Sequence, residues 1–184
     1  LALRMMREAL ARPGAQLRSS ARSRALFDAG QTCCFMGRYE DARPVLEEGL
    51  AIAREIGDVR SVADILQPLG LALLGLGDRP GARAAYEEAL DLAQRHAGRR
   101  DVAAALNALA QFHRIEGALD VAEPLYEQVV AMLREIGDRE STALALLNVA
   151  MVYIGRGQGG SARKALVEVD AIAQGAAGPG WTKL

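Results

Sequence analysis

The sequence predicts an all-α chain, an α-solenoid of stacked helix–turn–helix repeats. Three observations lead there. A 40-residue period runs through the 184 residues. Within each period the apolar residues recur at helical spacing rather than in strand alternation. Ala and Leu dominate a composition that is 51% hydrophobic but only 4% aromatic, which suits helix backbones packed closely together. A strict period over a whole chain signals a stacked array rather than one globular core.

The stretch Asp101–Leu133 shows the unit. Leu106, Leu109 and His113 recur at i, i+3 and i+7 on a first helix. Glu116-Gly117-Ala118 is the turn, and Ala122, Leu125, Tyr126, Val129 and Val130 form the apolar face of a second helix. Such a pair cannot bury its own apolar face, so it needs neighbours. A shift of forty residues finds them in columns: Leu26, Leu66, Leu106 and Leu146; Gly30, Gly70, Ala110 and Ala150; Gly37, Gly77, Gly117 and Gly157; Leu46, Tyr86, Tyr126 and Leu166.

In chain order, residues 1–18 are expected to be the second helix of a truncated repeat, ended by Pro13-Gly14, so the chain reads as a piece of something longer. Repeats one to four follow at 19–58, 59–98, 99–138 and 139–174, nine helices in all. Pro44 and Pro124 are expected in the first turn of a second helix, where the missing N–H costs no bond. Gly57-Asp58 and Gly137-Asp138 each join a glycine stop to an Asp able to cap the next helix. Pro68 lies well inside a first helix and is expected to kink it or divide it near Asp64. Residues 175–184 read as a linker or tail, with Trp181 either free or folded onto the last helix. An array without end caps exposes apolar stacking surface, so a homodimer through the array ends is expected.

Leu106-x-x-Leu109-Ala110-x-x-His113, then Ala122-x-x-x-Tyr126, resembles the tetratricopeptide (TPR) pattern, and repeats two and four match it through Leu66, Leu69-Gly70, Ala82 and Tyr86, and through Leu146, Val149-Ala150, Tyr153 and Ala162. The resemblance covers residues 1 to about 174. The 40-residue period, with Ala122-Glu123-Pro124-Leu125-Tyr126, resembles kinesin-light-chain-type repeats; Arg54-Glu55-Ile56-Gly57-Asp58, repeated from Arg134, resembles the bacterial version found in large regulators. The resemblance implies a right-handed superhelix whose concave side is lined by the first helix of each repeat.

Chemistry finds little support. The net charge of −1 gives no general drive toward nucleic acid or membrane, and the arginines of residues 1–24 read as a solvated helix face. No apolar run approaches the roughly 20 residues that span a bilayer. Cys33 and Cys34, adjacent on a helix, diverge by about 100° and neither chelate together nor pair easily. A reducing cytoplasm is the expected setting. Gly155-Arg156-Gly157-Gln158-Gly159-Gly160 satisfies G-x-G-x-x-G, but it falls over the turn column between two helices rather than after a strand. His113 stands where the TPR pattern has an aromatic residue and reads as a packed side chain. Glu47-Glu48 and Glu87-Glu88 recur with the repeat as a solvated face. With no nucleophile–base arrangement and no metal spacing, the sequence argues against an enzyme and implies no cofactor.

The remaining signal is the concave face that the resemblance implies. It places Gln31 in repeat one, Gln67 in repeat two, Asn107, Gln111 and Arg114 in repeat three, and Leu147, Asn148, Met151 and Ile154 in repeat four. In kinesin-light-chain-type arrays an Asn here holds the backbone of a bound peptide, and Asn107 and Asn148 match it. The expected ligand is a short segment with an apolar anchor beside an acidic residue that Arg114 would fork. The bland alternative is that Leu147, Met151 and Ile154 pack on a neighbouring repeat. Three functions are compatible with this face. The first is a protein or peptide interaction module in a larger bacterial regulator. The second is a small-ligand-sensing domain of a transcription regulator, similar to the maltose-activator type. The third is a self-associating scaffold.

Overall fold

The computed structural model describes residues 16–176 and, ahead of them, Glu8, Leu10, Arg12 and Gly14. Most of the helix expected within residues 1–18, and the tail beyond 176, therefore lie outside the described residues. Among the described residues there are eight helices and no strand: α1 (Ser20–Phe35), α2 (Tyr39–Glu55), α3 (Val59–Gly75), α4 (Arg79–His96), α5 (Arg99–Ile115), α6 (Leu119–Glu135), α7 (Arg139–Gly155) and α8 (Gly159–Ala176). The chain divides into two compact units, Leu1–Gly98 and Arg99–Leu184. In the first, α1 pairs with α2 and α3 with α4, while α3 packs on α2 and also touches α1. The second has the same plan, with α5 paired to α6, α7 to α8, and α7 packed on α6 and touching α5.

The glycine columns explain the turns. Gly37, Gly77, Gly117 and Gly157, at the turn inside each repeat, all have positive φ, between 68° and 83°. That left-handed residue ends the first helix and lets the next N–H reach back, as Arg38 N does to the Cys33 carbonyl at 2.9 Å. Between repeats, the carboxylates of Asp58 and Asp138 accept from the backbone N–H of Ser61 and Ser141 and cap α3 and α7. Those bonds hold both carboxyls below their ordinary range, with the Ser61 hydroxyl the larger influence at Asp58 and the Ser141 N–H at Asp138.

The small-residue column is a helix crossing. A Cβ on Gly70 would stand 2.8 Å from the ring of Tyr86, so α3 and α4 approach as closely as they do only because that atom is missing. In the second unit Ala110 and Tyr126 occupy the same columns, and both are fully buried.

Three sequence expectations need correction. Pro44 and Pro124 lie in the second turn of α2 and α6, because these helices begin at Tyr39 and Leu119. Each removes one bond to the carbonyl four residues back, and both prolines stand on exposed faces. Pro68 does not divide its helix, since α3 runs unbroken from Val59 to Gly75. Pro68 is buried and its carbonyl accepts from the Cys34 thiol of α1, and the packing of α3 on α1, α2 and α4 outweighs one lost backbone bond. Finally, α8 continues to Ala176, two residues past the expected end of repeat four.

Candidate interaction surface

The α5–α7 face of the second unit carries most of the residues singled out from sequence. On α7, Leu144, Leu147, Met151 and Ile154 follow one another at helical spacing and are 59, 40, 52 and 63% exposed. Scattered exposed apolar residues are ordinary, whereas these four large ones share a single stripe. The other side of α7 buries Leu146, Val149, Ala150 and Val152. A helix apolar on both sides belongs in a covered environment.

Between α5 and α7 lies a cleft of about 390 Å³. Its walls are Ala104 and Asn107 from α5 and Leu144, Leu147 and Asn148 from α7; buried Val129 and Leu133 of α6 line it too. Arg100, also lining the cleft, is paired with Asp138 at 2.9 Å. The volume lies within the range of pockets that bury small ligands or single large side chains, roughly 300–1,000 Å³. Asn148 Nδ2 donates to Asn107 Oδ1 at 3.1 Å. Outside this bond, Asn107 keeps the donors of its amide NH2 and Asn148 the acceptor of its carbonyl oxygen.

Of the expected residues, the structure brings Asn107, Leu147 and Asn148 together in the cleft. Met151 and Ile154 continue the stripe beyond it. Farther along α5, Gln111 is exposed and Arg114 half-buried. Gln31 and Gln67 are half-buried on α1 and α3 in the first unit. Sequence reasoning missed Leu144 and Ala104. Their column reads Arg24, Asp64, Ala104, Leu144, so its change from charged to apolar between the units was the signal.

In the first unit the corresponding α1–α3 face is closed. The guanidinium of Arg24 lies 4.9 Å from the ring centre of Phe27 and pairs with Asp28 at 3.4 Å. The space bounded by Ser23, Arg24, Phe27, Ser61, Asp64 and Ile65 is only about 10 Å³. Cys34, buried, donates its thiol to the Pro68 carbonyl at 3.3 Å, and burial, aided by Cys33, pushes it up to about 11.

A second cleft of about 380 Å³ lies between α6, α7 and α8. Its charges are largely paired within the protein. Arg134 forks Glu168 at 3.1 and 2.5 Å, and the Tyr153 hydroxyl donates to Glu127 at 2.6 Å. Burial, with the Glu127 carboxylate, raises that phenol to about 12. His113 stands edge-on to Phe112, ring centres 5.3 Å apart, as a packed side chain would. Among the described residues no group of three His, Cys, Asp or Glu side chains is placed to hold a metal, and no helix is long and apolar enough to cross a membrane.

Comparison with known proteins agrees with this architecture. No curated protein matches the chain in sequence. The chain is similar to the crystal structure of BtubC (BKLC) from P. vanneervenii, with a TM-score of 0.73 at 22% identity, over 88% of this chain and 68% of that one. It is similar to a putative kinesin light chain from Podosopora anserina with nearly identical TPR-like repeats, with a TM-score of 0.72 at 21% identity, over 96% of this chain and 87% of the other. A Rap protein complexed with competence and sporulation factor gives a TM-score of 0.86 at 15% identity, over 94% of this chain but only 48% of the Rap protein. At such identities the likeness shows the fold alone. The tetratricopeptide repeat family model matches residues 20–95 and 101–174, and with its paired helices, turn glycines and small-residue crossings the chain belongs to the tetratricopeptide repeat family.

Proposed function

We propose that the chain is a protein- or peptide-interaction module whose binding surface is the α5–α7 face of the second unit, within a sensor or regulatory segment of a larger bacterial regulator. The observation that carries this reading is the open apolar cleft flanked by the exposed Leu144, Leu147, Met151 and Ile154. One apolar side chain of an extended partner segment enters the cleft. Beside it, the free donors of Asn107 and the free acceptor of Asn148 match the alternating C=O and N–H groups of that segment's backbone. The Rap protein, similar in fold, has been solved with its factor bound, and this supports a binding role for such arrays.

The test is selection of random peptides on the immobilised chain, followed by calorimetry of the enriched sequences. The enriched peptides should share one apolar anchor. Leu147→Asp should weaken them by roughly 10- to 100-fold, the value of burying one large apolar side chain. Asn107→Ala with Asn148→Ala should weaken them further, with helix content unchanged by circular dichroism. Peptides bound equally well by Leu147→Asp would remove the α7 stripe from the function.

A further inference from the structure

We propose that the cleft between α6, α7 and α8 is a second ligand site, one that takes a small zwitterion with an apolar side chain, the chemistry of a free α-amino acid. It opens on a different side of α7 from the surface proposed above and does not depend on that reading.

The cleft holds one anion and one cation that the protein leaves unmatched. Glu47 takes Arg43, four residues back on α2, at 2.8 Å, and Glu87 takes Arg83 on α4 at 2.7 Å. Glu127 holds the same column on α6, but the residue four back is Glu123, itself paired with Arg156 at 2.8 Å. Glu127 is left with the Tyr153 hydroxyl, at 2.6 Å, and no cation among the described residues. Lys164 is in the converse position. Glu168, one turn further along α8, is forked by Arg134, and no other carboxylate among the described residues pairs with Lys164. Glu127 from α6 and Lys164 from α8 line the same cleft without meeting. Two such charges complement an ammonium and a carboxylate carried by one molecule.

The first unit separates scaffold from site. Eighty residues earlier, Glu47, Arg54 and Glu88 stand in the columns of Glu127, Arg134 and Glu168, so the carboxylates and the arginine fork belong to the repeat. Tyr153, Ser161 and Lys164, by contrast, replace Leu73, Gly81 and Ala84. Helices pair in the first unit without these polar groups, yet in the second all three converge on one cleft of about 380 Å³, room enough for a small ligand. Ser161 and Lys164, three residues apart, share a face of α8. The Lys164 ammonium and the Ser161 hydroxyl donate to a ligand carboxylate, and the ligand ammonium donates to the Glu127 oxygen that Tyr153 leaves open. The Tyr153 bond steadies the Glu127 carboxylate for that role. Val130, Leu146, Val149 and Ala165 give the apolar side chain its floor.

Titration of the whole chain with L-leucine, L-valine and L-phenylalanine, read by the methyl resonances of Val130, Leu146 and Val149, tests this. At least one of the three should give saturable shifts. Lys164→Gln and Glu127→Gln should each weaken that ligand by about tenfold, the effect of losing a hydrogen bond to a charged group, with helix content unchanged by circular dichroism. Gln at 127 still offers Tyr153 an acceptor, so the second variant removes the charge alone. Isocaproate, which is leucine without its amino group, should bind wild type about tenfold more weakly than leucine and lose nothing further in Glu127→Gln. Leu147→Asp should bind the amino acid as wild type does, so failure of the peptide surface and failure of this site are separable. No saturable shift with any of the three amino acids, or wild-type affinity in Lys164→Gln, would overturn the inference. Isocaproate bound as tightly as leucine would overturn the zwitterion assignment.

Discussion

Residues eighty apart hold the same place in the two units, yet the α1–α3 face is filled and the α5–α7 face is open. Phe27 corresponds to Asn107, Arg24 to Ala104, Ile65 to Ala145 and Cys34 to Arg114. With the first of each pair the space between the helices shrinks to about 10 Å³; with the second it is about 390 Å³. The helices and turns are built alike, by the same glycines and caps. Backbone architecture and the openness of a face are therefore set by different columns. The crossing and turn columns fix how helices pair, while side-chain size in two or three other columns decides whether a face is closed or open. Polarity divides in the same way. In the first unit Arg24 meets Phe27 and Asp28 and Cys34 donates to the Pro68 carbonyl, whereas in the second Arg114 stands beside the buried Tyr126.

Exchanging the columns tests this most severely. Asn107→Phe with Ala104→Arg should close the second unit's cleft as Phe27 and Arg24 close the first, abolishing peptide binding without lowering the urea midpoint. The reverse exchange, Phe27→Asn with Arg24→Ala, should open a cleft in the first unit and cost roughly 1–3 kcal/mol, less than a fully buried Phe truncation because Phe27 is only half-buried. Peptide binding that survives the first exchange would show that volume in these columns does not distinguish the units.

The same division explains what was legible in the sequence. The Leu, Gly and Ala columns announce helices and crossings because packing in every repeat imposes them, so period alone reveals Leu106, Ala110, Ala122 and Tyr126. Pro68 misled because local propensity favours a break, and only the tertiary packing around α3 shows why the helix survives. Asn107, Leu147 and Asn148 were found through a family resemblance and do converge on the cleft. Leu144 was not placed at the surface, and Tyr126 was placed only as an apolar-face residue. The exposure of Leu144 depends on how much room Ala104 leaves, and the surroundings of the Tyr126 hydroxyl depend on the Arg114 side chain beside it. Neither quantity has a period.

A smaller effect separates the units by pH. Cys34 titrates at about 11 in the folded protein against a thiol reference of 9.0, chiefly because it is buried. Between those values the unfolded chain ionises the thiol and the folded chain does not, so its contribution is complete below pH 9 and is lost as pH rises toward 11. The loss amounts to roughly 2 kcal/mol, since each pH unit between the two titrations is worth about 1.4 kcal/mol and partial relaxation of the packing takes some of it back. Urea midpoints from pH 8 to 11 should therefore fall more steeply for wild type than for Cys34→Ala. Parallel profiles would mean that the thiol reaches water.

The smallest expected effect lies where the units agree. Arg54 forks Glu88 at 2.6 and 2.8 Å in the first unit, and Arg134 forks Glu168 at 3.1 and 2.5 Å eighty residues later. Each pair joins neighbouring second helices, and each is substantially exposed, with arginine side chains 51 and 52% accessible. Solvation and salt screening limit such pairs to about 0.2–1 kcal/mol even with two hydrogen bonds. Glu88→Gln and Glu168→Gln should thus lower stability equally and slightly, and the difference from wild type should shrink in 1 M salt. The equality is the informative part. If these columns belong to the shared architecture, removing either pair should leave peptide affinity unchanged. A loss of binding in Glu168→Gln alone would mean that ion pairs on the second helices, and not only side-chain volume on the first, distinguish the open unit from the closed one.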